Sequence, residues 1–166
     1  MINGVTRDVT EKHTLKERLE YLSLHDEMTG LFNRVYFQEE MTRLECSRLH
    51  PISILVAELE DVKPINIEFD LQTADELAKR AAAILHQAFR SEDMVARISS
   101  DEFVAIMPLT QAGSAGRVMQ RVVNLMDQEN LANLSFPLHM SLGIATSETG
   151  QSLFKTFKSA EPKNLF

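Results

Sequence analysis

Apolar residues recur along this chain at two spacings, one typical of strands and one typical of helices. Short apolar stretches bounded by turn residues predict strands, and the clearest is residues 52–59, where Ile, Val and Leu predominate. Longer stretches with apolar residues three and four apart predict helices, and the clearest is residues 73–89. Further strands are predicted at 94–98, 102–108 and 139–145, and further helices from near Thr10, from Arg34 to near Leu49, at 114–130 and at 151–158.

The order of these elements predicts one α/β (α+β) domain, in which helices flank a mixed, mainly antiparallel central sheet. Residues 94–98 and 102–108 flank Ser99 and Ser100, and together they predict a β-hairpin. Residues 1–10 alternate like the end of another strand. With 166 residues, the chain is long enough for one such domain and a short extension.

The first predicted helix carries a stripe of leucines. Leu15, Leu19 and Leu22 fall at i, i+4 and i+7, the spacing that lets two parallel helices pack along a common seam. The same stripe also suits an amphipathic helix that folds back on its own domain, because fewer than three heptads are present. The sequence leaves both interpretations open, and the first predicts a homodimer formed through the N-terminal helix.

Composition narrows the class of protein. A formal net charge of −7 argues against general nucleic-acid binding, which needs a basic surface. No apolar run approaches the roughly 20 residues that span a bilayer, so we expect no membrane contact in this fragment. The single cysteine, Cys46, excludes an internal disulfide and fits a reducing compartment. We therefore expect a soluble, cytoplasmic domain.

Several ordered motifs carry a family resemblance over roughly residues 22–145. The run Ile98-Ser99-Ser100-Asp101-Glu102-Phe103 resembles the signature turn of the GGDEF (diguanylate cyclase) family, with serine at both glycine positions. Asp26–Arg34 resembles the N-terminal motif of that family, Glu58–Asn66 its metal- and base-binding segment, and Ser141–Ala145 the strand that closes its sheet.

The resemblance implies a domain division and a fold. Residues 25–166 would form a GGDEF domain with a nucleotidyl-cyclase-like fold. Residues 1–24 would be the end of a sensor domain, similar to a PAS domain, followed by a signalling helix.

Members of this family condense two GTP molecules, held by two facing protomers, into cyclic di-GMP and pyrophosphate. The resemblance implies catalytic positions at Ser99, Ser100, Asp101 and Glu102, and Mg²⁺ or Mn²⁺ held by Glu58, Asp101 and the Leu59 carbonyl when nucleotide is bound. The family usually has aspartate where this chain has Glu58, and the added methylene would alter a geometrically strict Mg²⁺ site. Both serines add a β-carbon where a phosphate should lie. Folding should tolerate this change, but catalysis should weaken.

Base and phosphate recognition are implied by the segment after the first long strand. Asn66 and Asp75 match the guanine-reading positions, since an amide and a carboxylate suit the donor edge of guanine. Lys63 and the backbone amides of Asp61 and Val62 match the phosphate cradle. Taken singly, Asn66 could instead cap a loop and Asp75 could complement a helix dipole.

The family's inhibitory product site is an Arg-x-x-Asp pattern just before the signature turn. Arg90 and Asp93 match it, and Arg121 is a second candidate contributor. Guanidinium groups pair with phosphates and stack on guanine, so the resemblance implies cyclic di-GMP binding. The structural alternative is that Arg90 caps a helix C-terminus and Asp93 opens a turn.

The C-terminal segment departs most from the family. Residues 157–164 retain only Lys163-Asn164 as a remnant of the family's phosphate-gripping turn, so the C-terminal helix is truncated or degenerate. Three hypotheses follow. The first is a degenerate domain that binds GTP or cyclic di-GMP in a regulatory role, with weak or no cyclase activity. The second is an active diguanylate cyclase, and the third is a dimerisation module without ligand.

Overall fold

The computed structural model describes residues 2–60 and 70–162, with side chains from residue 12 and, after the gap, from residue 74. Within these ranges lie five helices and four strands. In chain order they are α1 (Ile2–Leu24), α2 (Arg34–Glu45), β1 (Ile52–Leu59), α3 (Asp70–Ala88), β2 (Met94–Arg97), β3 (Glu102–Met107), α4 (Ala112–Ala132), β4 (Met140–Ser147) and α5 (Leu153–Ala160).

The four strands form one sheet in the order β2-β3-β1-β4, and each neighbouring pair is antiparallel. At the β2 edge of the sheet, an isolated bridge pairs Phe32 with Ala96 in the parallel sense. The predicted fold class, a mainly antiparallel sheet flanked by helices, is confirmed.

Helices cover both faces of the sheet. Side chains alternate between faces along a strand, so the central strand β1 is buried on both sides. On one face Leu55 and Ala57 pack with α3 and α4, and on the other Ile54 and Val56 pack with α2 and α5. The two hydrophobic cores hold the sheet between these helix pairs.

Local signals set where two helices begin. The Asn33 side chain caps α2 by accepting a hydrogen bond from the Tyr36 backbone N–H at 3.0 Å. Ser152 caps α5 in the same way, accepting from the Lys155 N–H at 3.3 Å. The last predicted helix is therefore confirmed, at Leu153–Ala160.

The strand predicted for residues 1–10 is wrong, because residues 2–10 belong to helix α1. Ile2, Val5 and Val9 are spaced by three and four residues, so the apolar positions that suggested alternation fit a helix equally well. Among the described residues, no helix is both long and apolar enough to cross a bilayer.

Candidate functional site

Three polar side chains form a row across the end of the sheet. Glu58 on β1 lies directly opposite Glu102 on β3 and Ser141 on β4. Residues opposite each other in antiparallel strands point to the same face, which here is the face covered by α2 and α5. Just beyond the row, the Ser141 hydroxyl donates to the Glu60 carboxylate. The predicted Glu58 and Glu102 are thus brought together.

Several hydrogen bonds hold the turn between β2 and β3. The Ile98 N–H donates to the Glu102 carbonyl at 2.9 Å, and the Leu59 N–H donates to the Asp101 carbonyl at 2.7 Å. The Arg97 Nη2 donates to the Ser100 carbonyl at 2.9 Å, and the Ser99 hydroxyl donates to Asp101 Oδ1 at 3.0 Å. Asp101 is therefore fixed against the end of β1, next to Glu58.

The two serines of this turn are exposed and unstrained. Among the described non-glycine residues, positive φ occurs at Leu109, and neither Ser99 nor Ser100 adopts it. The turn therefore forms without the left-handed backbone that would favour glycine. What the serines add is side-chain volume on the solvent side of the turn.

Carboxylates dominate the electrostatics of the row. Burial is the main cause that raises the pKa of Glu102 above its ordinary value, and the negative charges of Glu161, Glu58 and Asp101 raise it further. Arg34, at the start of α2, acts in the opposite direction. Four carboxylates therefore lie close enough to interact, with one guanidinium beside them.

The oxygen atoms of Glu58, in the row, and of Asp101, in the adjacent turn, suit a hard cation. Glu58 and Asp101 supply carboxylate oxygens, and Mg²⁺ is commonly held by one or two carboxylates completed by water and phosphate oxygens. Over residues 12–60 and 74–162, no group of three or more His, Cys, Asp or Glu side chains is arranged to hold a metal alone. A cation here would need the Leu59 carbonyl, water or a nucleotide to complete its shell.

A separate pocket of about 380 Å³ lies between α3, β2 and the end of α1. Arg90 and Asp93 both line it, together with His25, Phe32 and Phe89. Two hydrogen bonds join Arg90 and Asp93. The Arg90 N–H donates to Asp93 Oδ2 at 3.0 Å, and the Asp93 N–H donates to the Arg90 carbonyl at 3.1 Å.

These two hydrogen bonds place Arg90 and Asp93 in one turn after α3, which agrees with the structural alternative for Asp93. Burial raises the pKa of Asp93, although its bond from the Arg90 backbone opposes the rise. Arg121 Nη1 donates to the Ala88 carbonyl at 3.0 Å, so Arg121 caps the C-terminal end of α3. Arg121 is not among the residues that line the pocket.

Comparison with known proteins identifies the family. A family model described as "Diguanylate cyclase, GGDEF domain" matches residues 23–163. The chain belongs to the GGDEF family. Among curated proteins, the diguanylate cyclase DgcM of Escherichia coli K12 is 28% identical over 162 residues, which cover 95% of this chain and 39% of DgcM. The uncharacterized protein y4lL of Sinorhizobium fredii is 27% identical over 171 residues, covering 95% of this chain and 21% of y4lL.

The chain thus spans less than half the length of either curated relative. Among solved structures, the coiled coil and GGDEF domain of DgcB from Caulobacter crescentus, in complex with c-di-GMP, superposes with a TM-score of 0.79. The two chains are 18% identical, and the match covers 96% of this chain and 87% of the DgcB chain. At this level of identity the likeness shows the fold.

In this GGDEF domain, the N-terminal motif has a structural role beside the signature turn. Asp26 Oδ2 accepts from the Thr29 N–H at 2.9 Å and from the Thr29 hydroxyl at 2.7 Å. The same oxygen lies 3.3 Å from Arg97 Nη1, and Arg97 in turn holds the Ser100 carbonyl. Two motifs far apart in the sequence therefore meet through Arg97.

Several predicted binding residues lie outside the described part of the chain. These are Asp61, Val62, Lys63 and Asn66, together with the C-terminal pair Lys163 and Asn164. Asp75 lies on α3 and is partly exposed. The roles implied for these residues remain predictions.

Sequence reasoning missed three residues that shape the site. Arg34 ends the N-terminal motif and Arg97 directly precedes the signature turn, but the sequence pattern gave no indication of what either residue contacts. Glu161 follows the last helix and gave no sequence signal, because its proximity to Glu102 depends on where α5 crosses the sheet.

Proposed function

We propose that this GGDEF domain acts in cyclic di-GMP signalling as a regulatory domain that binds cyclic di-GMP and, more weakly, GTP, with weak or no cyclase activity. In this proposal residues 25–166 are the nucleotide-binding domain, and residues 1–24 are the linker from a sensor domain. The following paragraphs give the support for each part.

The pocket lined by Arg90 and Asp93 is the main support for cyclic di-GMP binding. Its volume of about 380 Å³ lies within the range typical of small-molecule sites. A guanidinium at its wall can pair with a phosphate or stack on a purine, a carboxylate can accept from the guanine edge, and Phe32 and Phe89 offer apolar surface. The DgcB structure was determined with c-di-GMP, which supports the choice of ligand.

Aromatic stacking provides a route from this pocket to α1. The rings of Tyr21, His25, Phe32 and Tyr36 stack in sequence, with centroid separations of 4.1, 4.6 and 4.1 Å. His25 and Phe32 also line the pocket. A ligand that contacts these two rings would bias the position of α1, which is what a regulatory role requires.

The signature turn supports weak rather than efficient catalysis at Glu58 and Asp101. Mg²⁺, when bound there with GTP, would neutralise triphosphate charge and activate the attacking hydroxyl. Ser99 and Ser100 add side chains on the face of the turn where the phosphate would approach. Because catalysis depends on placement to within about an ångström, this added bulk should slow the reaction more than it weakens folding.

Calorimetric titration with cyclic di-GMP tests the proposal directly. The wild-type chain should bind, and Arg90→Ala should weaken binding at least tenfold, because a charge-assisted phosphate contact is worth roughly 1.5–3 kcal/mol. Arg43→Ala is the matched control, because Arg43 lies on α2, its side chain is 60% exposed, and it is not among the residues that line the pocket. Equal affinity of wild type and Arg90→Ala, or no binding by the wild type, would contradict this site.

An active diguanylate cyclase is the second candidate, favoured by the intact hydrogen bonds that hold Asp101 against β1. Incubation of the dimerised protein with GTP and Mg²⁺, followed by analysis for cyclic di-GMP, separates the two. Steady turnover would favour this second candidate over the regulatory domain.

A ligand-free dimerisation module is the third candidate, favoured by the exposed leucines of α1. It would be favoured if neither GTP nor cyclic di-GMP bound and if Asn66→Ala changed nothing.

A further inference from the structure

The end of α5 lies in close contact with strand β4 at Gly143. A β-carbon at position 143 would lie 1.9 Å from the Ala160 carbonyl oxygen and 3.2 Å from the Pro162 nitrogen. These atoms belong to the backbone and cannot move aside like a flexible side chain. Glycine at 143 therefore allows residues 160–162 to cross the sheet directly over β4.

This crossing brings Glu161 close to the row that Glu58, Glu102 and Ser141 form across the end of the sheet. Gly143 and Ser141 point to the same face of β4, and side chains two residues apart along a strand are separated by about 7 Å. Ser141 lies opposite Glu58, which lies opposite Glu102. Glu161 lies between Ala160 and Pro162, the two residues whose backbone contacts β4 at Gly143, so the crossing holds it beside this end of the sheet. Its negative charge is also one of those that raise the pKa of Glu102.

Glu161 also follows a helix C-terminus, where unpaired carbonyl groups add partial negative charge. Together with Glu58, Asp101 and Glu102 it forms a negative surface, opposed by the exposed Arg34. Such a surface attracts a divalent cation and repels the phosphates of a nucleoside triphosphate.

We propose that Glu161 sets the ligand charge that this row accepts, and that it weakens the binding of nucleoside triphosphates at the Glu58 and Asp101 site. The inference rests on the proposed function, because it assumes that GTP can approach this row. Glu161 takes no part in any chemical step. Its charge changes the affinity for the nucleoside triphosphate.

Titration of the full chain with GTP in excess Mg²⁺ tests this proposal. Glu161→Gln should bind GTP about threefold more tightly than the wild type and Glu161→Lys at least about tenfold more tightly, because the first removes a charge and the second reverses it. The matched control is Glu148→Lys, which makes the same charge change at an exposed position before α5. It should alter GTP affinity by less than about twofold at 0.15 M salt, since distant charges are screened.

The salt dependence of the affinity gain makes the test decisive. The gain in Glu161→Lys should shrink as salt is raised, since a charge effect is screened. A gain that is independent of salt would overturn the inference and indicate a change of shape.

The outcomes separate this inference from the proposed function. If the wild type binds GTP and both Glu161 variants bind it equally well, the inference is overturned and the proposed function stands. If none of the three proteins binds GTP, both the inference and the proposed GTP site are overturned. Cyclic di-GMP affinity at the Arg90 pocket should be unchanged in all of them, which also verifies that the variants are folded.

Discussion

Arg97 and Asp26 form an ion pair, with 3.3 Å between Nη1 and Oδ2, that joins the segment after α1 to the hairpin carrying Asp101. The side chains are 12% and 25% exposed, so water screens the pair only partly. Arg97 also donates to the Ser100 carbonyl, and Asp26 also accepts from Thr29. The pair therefore stabilises two turns at once.

Asp26→Asn should lower the free energy of unfolding by about 2 kcal/mol, because it leaves a largely buried guanidinium without its counter-charge. Urea unfolding at neutral pH measures this loss. Glu76→Gln is the control, since Glu76 lies 3.8 Å from Lys79 and both side chains are more than half exposed. The control should cost less than about 0.5 kcal/mol. Equal losses in both variants would show that the Arg97 pair is no stronger than a surface pair.

Gly143→Ala should destabilise the domain by about 1–3 kcal/mol, because the new β-carbon would overlap the Ala160 carbonyl and displace the end of α5. Gly116→Ala should have the opposite effect on the stability of the domain. Gly116 lies within α4, and apart from its chain neighbours and the adjacent helix backbone no atom lies within 4 Å of its ideal β-carbon. Alanine there should therefore stabilise the domain by about 0.5–1 kcal/mol. Thermal unfolding of both variants checks this, and a stable Gly143→Ala would mean that α5 can move at little cost.

Much of the fold could be predicted because local patterns agree with the tertiary structure. The apolar run at 52–59 becomes a central strand buried on both faces, and the apolar spacing at 73–89 becomes the inward face of α3. Residues 2–10 were misassigned because three apolar positions in a short segment fit either period.

The site was only partly predictable for a different reason. Glu58 and Asp101 could be placed from motifs, because each ends a strand or a turn whose partner follows from the sheet. Glu161 could not, because its position depends on the contact between α5 and Gly143, and sequence periodicity does not encode such a contact. The same holds for the pairing of Asp26 with Arg97.

The raised pKa of Glu102 makes a prediction about pH. The folded state holds a proton on this carboxyl more tightly than the unfolded state does, so the contribution of Glu102 to stability falls as pH rises from the ordinary glutamate pKa through the folded value. Glu102→Gln removes this titration. Relative to the variant, the wild type should therefore lose stability between about pH 4, just below the ordinary glutamate pKa, and about pH 7.

Urea unfolding of wild type and Glu102→Gln at both pH values gives the comparison. Burial raises the pKa of Asp93 too, and that contribution cancels in the difference because both proteins retain Asp93. Glu76→Gln, at an exposed site on α3, should change little between the two pH values. A difference that is constant with pH would contradict the raised pKa of Glu102.

The exposed leucines of α1 predict a homodimer. Leu15 and Leu19 are 63% and 69% exposed in the single chain, and with Leu22 they form one stripe along the helix. A second copy of the same stripe, packed in parallel, would remove these side chains from water, at roughly 25 cal/mol for each Å² of apolar surface buried. The structure of the single chain leaves Leu15 and Leu19 without such cover, so folding back onto the domain does not bury them.

Leu19→Lys should shift the protein toward monomer, because it places two like charges at the centre of the seam. Glu17→Lys is the matched control, since a residue two positions away lies on the opposite side of the helix, where Glu17 contacts His13. Sedimentation equilibrium over a range of concentrations should give a dimer for wild type and Glu17→Lys, with a dissociation constant at least tenfold weaker for Leu19→Lys. A monomeric wild type would refute the dimer. Equal dissociation constants in all three proteins would show that the dimer interface does not include this stripe. The cyclase candidate requires two facing protomers, so the same measurement also tests whether α1 can bring two copies together.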